Sequence, residues 1–426
     1  MWFGRAAHLR GVARWLAEVA GGGGSVLGVE GETGSGKTEL SRFAAAAARR
    51  LGFRVLGVGG SPFESGAAGQ LVRRLCGTSD PDEVHRRVLD ESRSGPVLLV
   101  VDDLQWCDPE SAICLAFLAR RLPGLRIGLL VCRLPGVAVG DPVPAGELFR
   151  DLPRDARIEL GALDDGTADA VVAASLPAAP AGVRAAVRRW TGNNPYLLAE
   201  VLAVLTRCGD PLPEVADVVP ASVAAWLLRH LGGDLPVARA LAVLPGEAGA
   251  DEVARVAGMP VFEVEPALGR LVALGLVRRG RGAAFRQPLV RAAVLDTTPP
   301  AERVALVLRG ARPLRDRDLV GYLLTSGVAD HPEVCAPLTA AVRRVVAEST
   351  GGDRSALLRG LLAHRVSVPA RVEFLRLLAA AELDRSPTAA LACLDEAAGL
   401  AADRRSLAVD RARALHLLDR GAEAVP

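Results

Sequence analysis

The feature that most narrows what this chain can fold into is the run Gly31-Glu32-Thr33-Gly34-Ser35-Gly36-Lys37-Thr38. It fits GxxxxGK[ST]. An apolar stretch, 26–30, precedes it, and an Ala-rich stretch, 37–51, follows. Glycines let successive backbone N–H groups turn inward around an anion. A helix beginning near Lys37 adds its positive N-terminal end. In such a loop the lysine reaches the β- and γ-phosphates of a nucleotide, and the hydroxyl of Thr38 binds Mg²⁺. The motif needs a strand before it and a helix after it, and the flanking residues supply both patterns.

Lys37 is the only lysine among 51 basic residues. Everywhere else the chain uses arginine. A compact ammonium differs from a planar guanidinium fork, and only at this position is the ammonium kept.

The patterns around the loop extend the prediction. Apolar runs at 53–58, 96–101, 125–132 and 157–160 read as further strands, and 96–101 has the unbroken apolarity of a strand buried on both faces. Helical stretches separate them, one at 81–93 and another opened by Asp108-Pro109-Glu110. There Asp108 reads as a helix cap rather than a catalyst. Strands alternating with helices predict a parallel, doubly wound sheet. After Leu160 the alternation stops. Residues 164–207 read as helices broken at Pro177, Pro180 and 192–195. Residues 236–297 read as helices followed by a hairpin near 280–282. From 298 onward only helices are expected, in a weak tetratricopeptide-like pattern that pairs helices around Ser386-Pro387.

The run 96–103 ends in Asp102-Asp103, placing two acids at the carboxyl edge of a strand, where ligands bind in such sheets. Asp102 is the candidate Mg²⁺ ligand, directly or through water. Asp103 is the candidate to orient or deprotonate an attacking water. Arg133 ends the fourth strand on the same edge, where a fixed cation would stabilise charge on a γ-phosphate.

Composition bounds the rest. The length of 426 residues implies two to four domains. A net charge of +2 argues against a strongly nucleic-acid-binding surface. No apolar run of membrane-spanning length and no signal-peptide pattern is expected. The seven cysteines lack CxxC spacing, which fits small buried residues in a reducing cytoplasm.

Several segments together resemble the STAND class of signal-transduction ATPases, and more narrowly the large ATP-binding regulators of the LuxR type from actinobacteria. The resemblance covers about residues 3–310. Gly4-Arg5 resembles the family's GRE motif, which implies that Arg5 lies near the adenine. "VLLVVDDLQWCDPES" matches the acidic strand. "TGNNPYLLAEVL" resembles a family segment whose proline, here Pro195, packs by the base. "FRQPLVRAAVLDTTPPAERVAL" resembles a winged-helix segment in which a histidine touches the ADP β-phosphate. Here that position is Gln287, whose amide donates a hydrogen bond but carries no charge. The GRE glutamate is Ala6.

The resemblance implies a multidomain chain. Residues 1–160 form the α/β P-loop ATPase domain, 161–232 a helical lid, 233–297 a winged-helix module, and 298–426 an incomplete helical-repeat region. It implies an ATP/ADP- and Mg²⁺-binding, slowly hydrolysing switch of a transcriptional regulator, located in the cytoplasm. An effector or self-association would use the helical region. DNA would be met only through a C-terminal helix-turn-helix that is not found in this sequence. In the winged-helix module the candidate recognition helix, 261–276, carries Glu263 and Glu265 against Arg270 alone, a poor charge pattern for a groove lined by phosphates. Two other readings stay open: a P-loop kinase of a small molecule, and a scaffold that binds nucleotide without hydrolysis.

Overall fold

In the computed structural model, residues 4–61, 66–134, 148–149, 152–208, 213–349, 351–401 and 404–418 are described. The predicted repeat region therefore has its last residues, 419–426, outside the described set. The described residues fall into two compact units. One comprises residues up to Leu235 together with Glu265–Asp296; the other comprises Pro236–Val264 and the residues from Thr297 onward.

The first unit is built on five parallel strands: β1 (Ser25–Gly31), β2 (Arg54–Gly59), β3 (Val97–Asp102), β4 (Ile127–Arg133) and β5 (Arg157–Leu160). Their order in the sheet is β2-β3-β4-β1-β5. All five predicted strands are present, each within about two residues of its expected bounds. The period-two alternation explains the two layers of helices. Val97, Leu99 and Val101 of β3, with Ile127, Leu129 and Val131 of β4, point to one face. There they meet Val84 and Val88 of the helix Pro81–Ser94 and Leu115 and Leu118 of the helix Pro109–Ala119. Leu98, Val100, Leu130 and Cys132 point to the other face. They meet α1 (Ala6–Ala20) through Val12, Leu16 and Val19, and α2 (Lys37–Arg50) through Leu40, Ala44 and Ala48. A strand sandwiched in this way must be apolar at every position, as β3 is.

A short helix, Gln70–Cys76, was not foreseen from the sequence. Asp108 ties it down. The Asp108 carboxylate is 1% exposed. It caps the following helix by accepting from the Ser111 N–H at 2.9 Å, and it also accepts from the N–H groups of Gly69 at 2.7 Å and Leu71 at 3.3 Å. Burial alone would push this carboxyl up. The bonds from Ser111, Gly69 and Leu71 outweigh burial and hold it below the usual carboxylate range.

A lost cap costs about 1 kcal/mol, and each buried N–H left without an acceptor costs about 1–3 kcal/mol more. Asp108→Ala is therefore expected to destabilise the first unit by about 3 kcal/mol in urea unfolding at pH 7. Asp108→Asn should lose less, since its amide oxygen still accepts. Because the folded-state value is depressed, the contribution is full above an unfolded value of about 3.9. It is lost as pH falls through the folded value. An unchanged urea midpoint for Asp108→Ala would contradict the clamp.

Beyond β5 the first unit continues with helices Asp165–Ser175, Ala181–Thr191, Pro195–Cys208 and Ala221–Leu231. It also holds the hairpin β6 (Val277–Arg279) and β7 (Ala283–Phe285), paired antiparallel, and the helix Pro288–Asp296. The last of these packs on Ala181–Thr191 and Ala221–Leu231. In the helix Val261–Ala273, Arg270 is bonded to both carboxylate oxygens of Asp234, and Glu265 pairs with Arg279.

The second unit is helical throughout its described residues. Helix Asp316–Thr325 packs on Pro332–Glu348, both Pro332–Glu348 and Gly351–Leu362 pack on Val368–Glu382, and Pro387–Leu400 packs between Val368–Glu382 and Ala408–Leu417, laced by ion pairs such as Arg343–Glu373 at 2.8 Å and Arg376–Asp410 at 2.8 Å. Ser386 caps the helix Pro387–Leu400, with proline in its first turn, at the junction around which the sequence pairs two helices. No helix among the described residues is long and apolar enough to cross a membrane.

Candidate nucleotide site

The loop between β1 and α2 curls as its glycines allow. Gly34 and Gly36 adopt φ of 79° and 101°, where a side chain would be strained. A Cβ at Gly34 would also lie 2.6 Å from Asn194 Oδ1. Lys37 is 7% exposed and donates from Nζ to the carbonyls of Gly31 at 2.7 Å and Glu32 at 3.0 Å. Burial lowers its pKa, while the nearby carboxylates of Asp103 and Asp102 pull it back up. The buried Ser35 Oγ has no protein partner.

Asp102 ends β3, and β4 separates β3 from β1. The loop turns back across that gap and brings Thr38, at the start of α2, beside the Asp102 carboxylate. Burial and the neighbouring Asp103 raise the Asp102 pKa, against the nearby Thr38 hydroxyl and the charge of Lys37. The hydroxyl and the acid assigned to Mg²⁺ from sequence therefore stand side by side, and both are hard oxygen donors, as that ion requires. Buried Ser35 Oγ, the inward-turned glycine loop and this donor pair fit a magnesium nucleotide.

A cavity of about 780 Å³ opens on the loop. Thr33 to Thr38 and Asp103 line its polar end. Arg5, Leu160, Leu163, Pro195 and Trp226 are among the residues that line the remainder. Arg5 donates to the carbonyls of Gly161 and Ser35, which ties the N-terminal segment to the loop. Pro195 opens the helix Pro195–Cys208, and the rings of Tyr196 and Trp226 meet at a tilt of 46° with centroids 5.4 Å apart. The apolar, partly aromatic wall beside a phosphate-binding loop suits a base.

Two predicted residues are placed differently from the loop. Arg133 is directly opposite Glu30 in the β1–β4 register and forms an ion pair with it at 2.5 Å, both side chains less than 20% exposed. Its guanidinium also stacks on Phe149, 4.0 Å from the ring centroid. It is a held cation, not a surface arginine. Gln287 is buried with its Cγ against Gly192, and its Oε1 has no protein partner. Neither Arg133 nor Gln287 lines the cavity.

The sequence reading passed over Asn194 and Glu30, and over the distant partners of Glu32 and Thr33 in the loop. Asn194 is buried and donates from Nδ2 to the Thr33 carbonyl at 2.9 Å, while its Oδ1 accepts from Tyr196 and Leu197 N–H. Its signal was readable, since Asn before Pro is a helix-start pattern. Glu30 was readable as an acid in an otherwise apolar strand. Glu32 pairs with Arg286, packs on Gly275, and is followed by Thr33, whose N–H points at the Leu274 carbonyl at 3.4 Å. No local pattern joins those positions.

No family model matches the chain, and no curated protein matches it. Among solved structures it is similar to a signal-transduction ATPase with numerous domains and a tetratricopeptide-repeat sensor from Pyrococcus horikoshii. That match has 16% identity and TM-score 0.36, covering 96% of this chain and 62% of that one. The chain thus spans less than two thirds of that protein. It is also similar to a Walker-type ATPase of Pyrococcus abyssi, with 14% identity and TM-score 0.48 over 69% of this chain and 96% of that one. A third is DnaA from Aquifex aeolicus in an AMPPCP-bound structure, with 14% identity and TM-score 0.35 over 72% and 93%. On its own loop and sheet order, the first unit is an α/β P-loop fold.

Proposed function

We propose that this chain binds ATP and ADP with Mg²⁺ and hydrolyses ATP slowly, as the nucleotide-controlled switch of a regulator. The observation that carries the reading is the convergence of Lys37, Thr38 and Asp103 at one end of a cavity whose other walls suit a base, with Asp102 beside Thr38 behind that lining.

In this reading, Lys37 leaves the carbonyls of Gly31 and Glu32 for the β- and γ-phosphates. Thr38 and Asp102 would hold Mg²⁺, which supplies positive charge against the phosphates. Asp103 takes a proton from water as the water oxygen bonds to the γ-phosphorus and the bond to the β–γ bridging oxygen breaks. The products are ADP and phosphate. Arg133 would reach the γ-phosphate only once its pair with Glu30 opens, so that pair sets how readily charge is stabilised.

The switch reading is supported by Glu32 and Thr33. Both meet the 274–286 segment, so movement of the loop on binding would be felt there. The segment 233–297 as a winged-helix module, transcription as the output, and an effector or self-association through the helical region all belong to this proposal. DNA contact would belong to a domain beyond this sequence. Titration calorimetry tests the binding, with amide exchange to follow the 274–287 segment. ATP should bind more tightly with Mg²⁺ than without, and ADP and AMPPCP should protect the segment differently. No heat with any nucleotide would refute the binding reading, and identical protection would refute the switch.

A further inference from the structure

Asp103 follows β3 in the left-handed region, at φ 52° and ψ 47°. Aspartate tolerates that conformation better than most side-chain-bearing residues. Its surroundings fix it there. Its N–H donates to Asp102 Oδ1 at 3.0 Å, and its carbonyl accepts from the Trp106 N–H at 3.0 Å. A Cβ at position 60 would lie 2.4 Å from that carbonyl, so the end of β2 must be bare there, as Gly60 is.

The carboxylate is held by a residue that the mechanism above does not use. Gln105 Nε2 donates to Asp103 Oδ1 at 2.9 Å. Its Oε1 accepts from the Leu134 N–H at 3.2 Å. Gln105 is 6% exposed, so both ends of a buried amide are satisfied. Its orientation is set by chemistry. Turned over, the amide would face N–H with NH₂ and carboxylate with carbonyl. Leu134 follows Arg133, the cation paired with Glu30 across β4 and β1. A single side chain thus spans from the candidate base to the backbone at the exit of the neighbouring strand.

We infer that Gln105 is the positioning residue for Asp103: by occupying Oδ1 it presents Oδ2 to the attacking water and couples the base to the end of β4. This rests on the hydrolytic reading above. A buried amide that only filled space would leave the acid free to turn. Tethered at both ends, it transmits any shift of Arg133, through the Leu134 backbone, to the carboxylate.

The test compares Gln105→Glu, Gln105→Leu and the same changes in an Asp103→Asn background. Gln105→Glu keeps an acceptor for the Leu134 N–H but opposes Asp103 with a second carboxylate. Gln105→Leu removes both bonds. Steady-state ATP turnover, titration calorimetry and thermal unfolding are measured on the full chain. Both single variants should lower kcat about 10-fold or more, since a misplacement of about 1 Å costs up to about 10²-fold. KM and ATP affinity should stay within about twofold. In the Asp103→Asn background the same changes should alter kcat less than about twofold, because coupled residues are not additive.

A Gln105→Glu variant that turns over at the parental rate would overturn the inference. So would losses that add fully to that of Asp103→Asn. A parent chain without turnover, or an Asp103→Asn variant as fast as the parent, would instead overturn the hydrolytic reading on which it stands.

Discussion

Lys37→Ala is expected to abolish measurable ATP binding while leaving the fold intact. The ammonium is the only lysine in the chain and is already inside the loop, bonded to the Gly31 and Glu32 carbonyls. A hydrogen bond to a charged partner contributes about 1.5–3 kcal/mol. Losing two such contacts with the phosphates would weaken affinity about 10²-fold or more. Lys37→Arg should also fail to restore it. At 7% exposure the site fits a point charge on a thin stem, and a planar fork needs width the loop does not have. Circular dichroism checks the fold, and calorimetry the affinity. Undiminished binding in both variants would remove the P-loop assignment.

Asp103→Asn is expected to keep ATP affinity and slow hydrolysis by about 10²–10⁴-fold, the range typical of a lost general base. The substitution is nearly isosteric, and Asn also tolerates the left-handed backbone. Its carbonyl oxygen still accepts from Gln105 Nε2, so the geometry should survive while the proton acceptor is lost. Asp102→Ala is the contrast: it removes the carboxylate beside Thr38 and should weaken Mg²⁺-dependent binding itself. Single-turnover measurement with saturating protein separates the two effects. Parental turnover in Asp103→Asn would exclude it as the base.

The candidate site was legible because the residues proposed for it stand in consecutive positions. The loop spans eight positions, and the Asp102-Asp103 pair closes one strand. Strand burial was legible for the same reason: the alternation of β3 and β4 between two faces is a property of neighbouring positions. What the sequence hid are meetings between distant positions. Glu30 finds Arg133 because β4 inserts beside β1, which no local pattern states. Glu32 finds Arg286 through a segment that folds back after several helices. Arg133 was readable as a cation at the strand edge, but not that the Phe149 ring and the Glu30 carboxylate hold it. The helix Gln70–Cys76 was missed because its first-turn acceptors come from Asp108, far along the chain, and not from a cap of its own.

The ties from Glu32 and Thr33 to Arg286 and Leu274 have a consequence for how the protein comes into being. A ribosome delivers the loop early and its partners much later. Until residue 286 has left the exit tunnel, Glu32 has no cation and Thr33 no carbonyl from Leu274. Long-range closure of this kind is slow because chain entropy must be surrendered before the contact rewards it. The nascent chain would therefore carry a sheet able to form and a loop not yet braced. Competence for nucleotide would arrive as a late event of synthesis, set by the hairpin and not by the sheet.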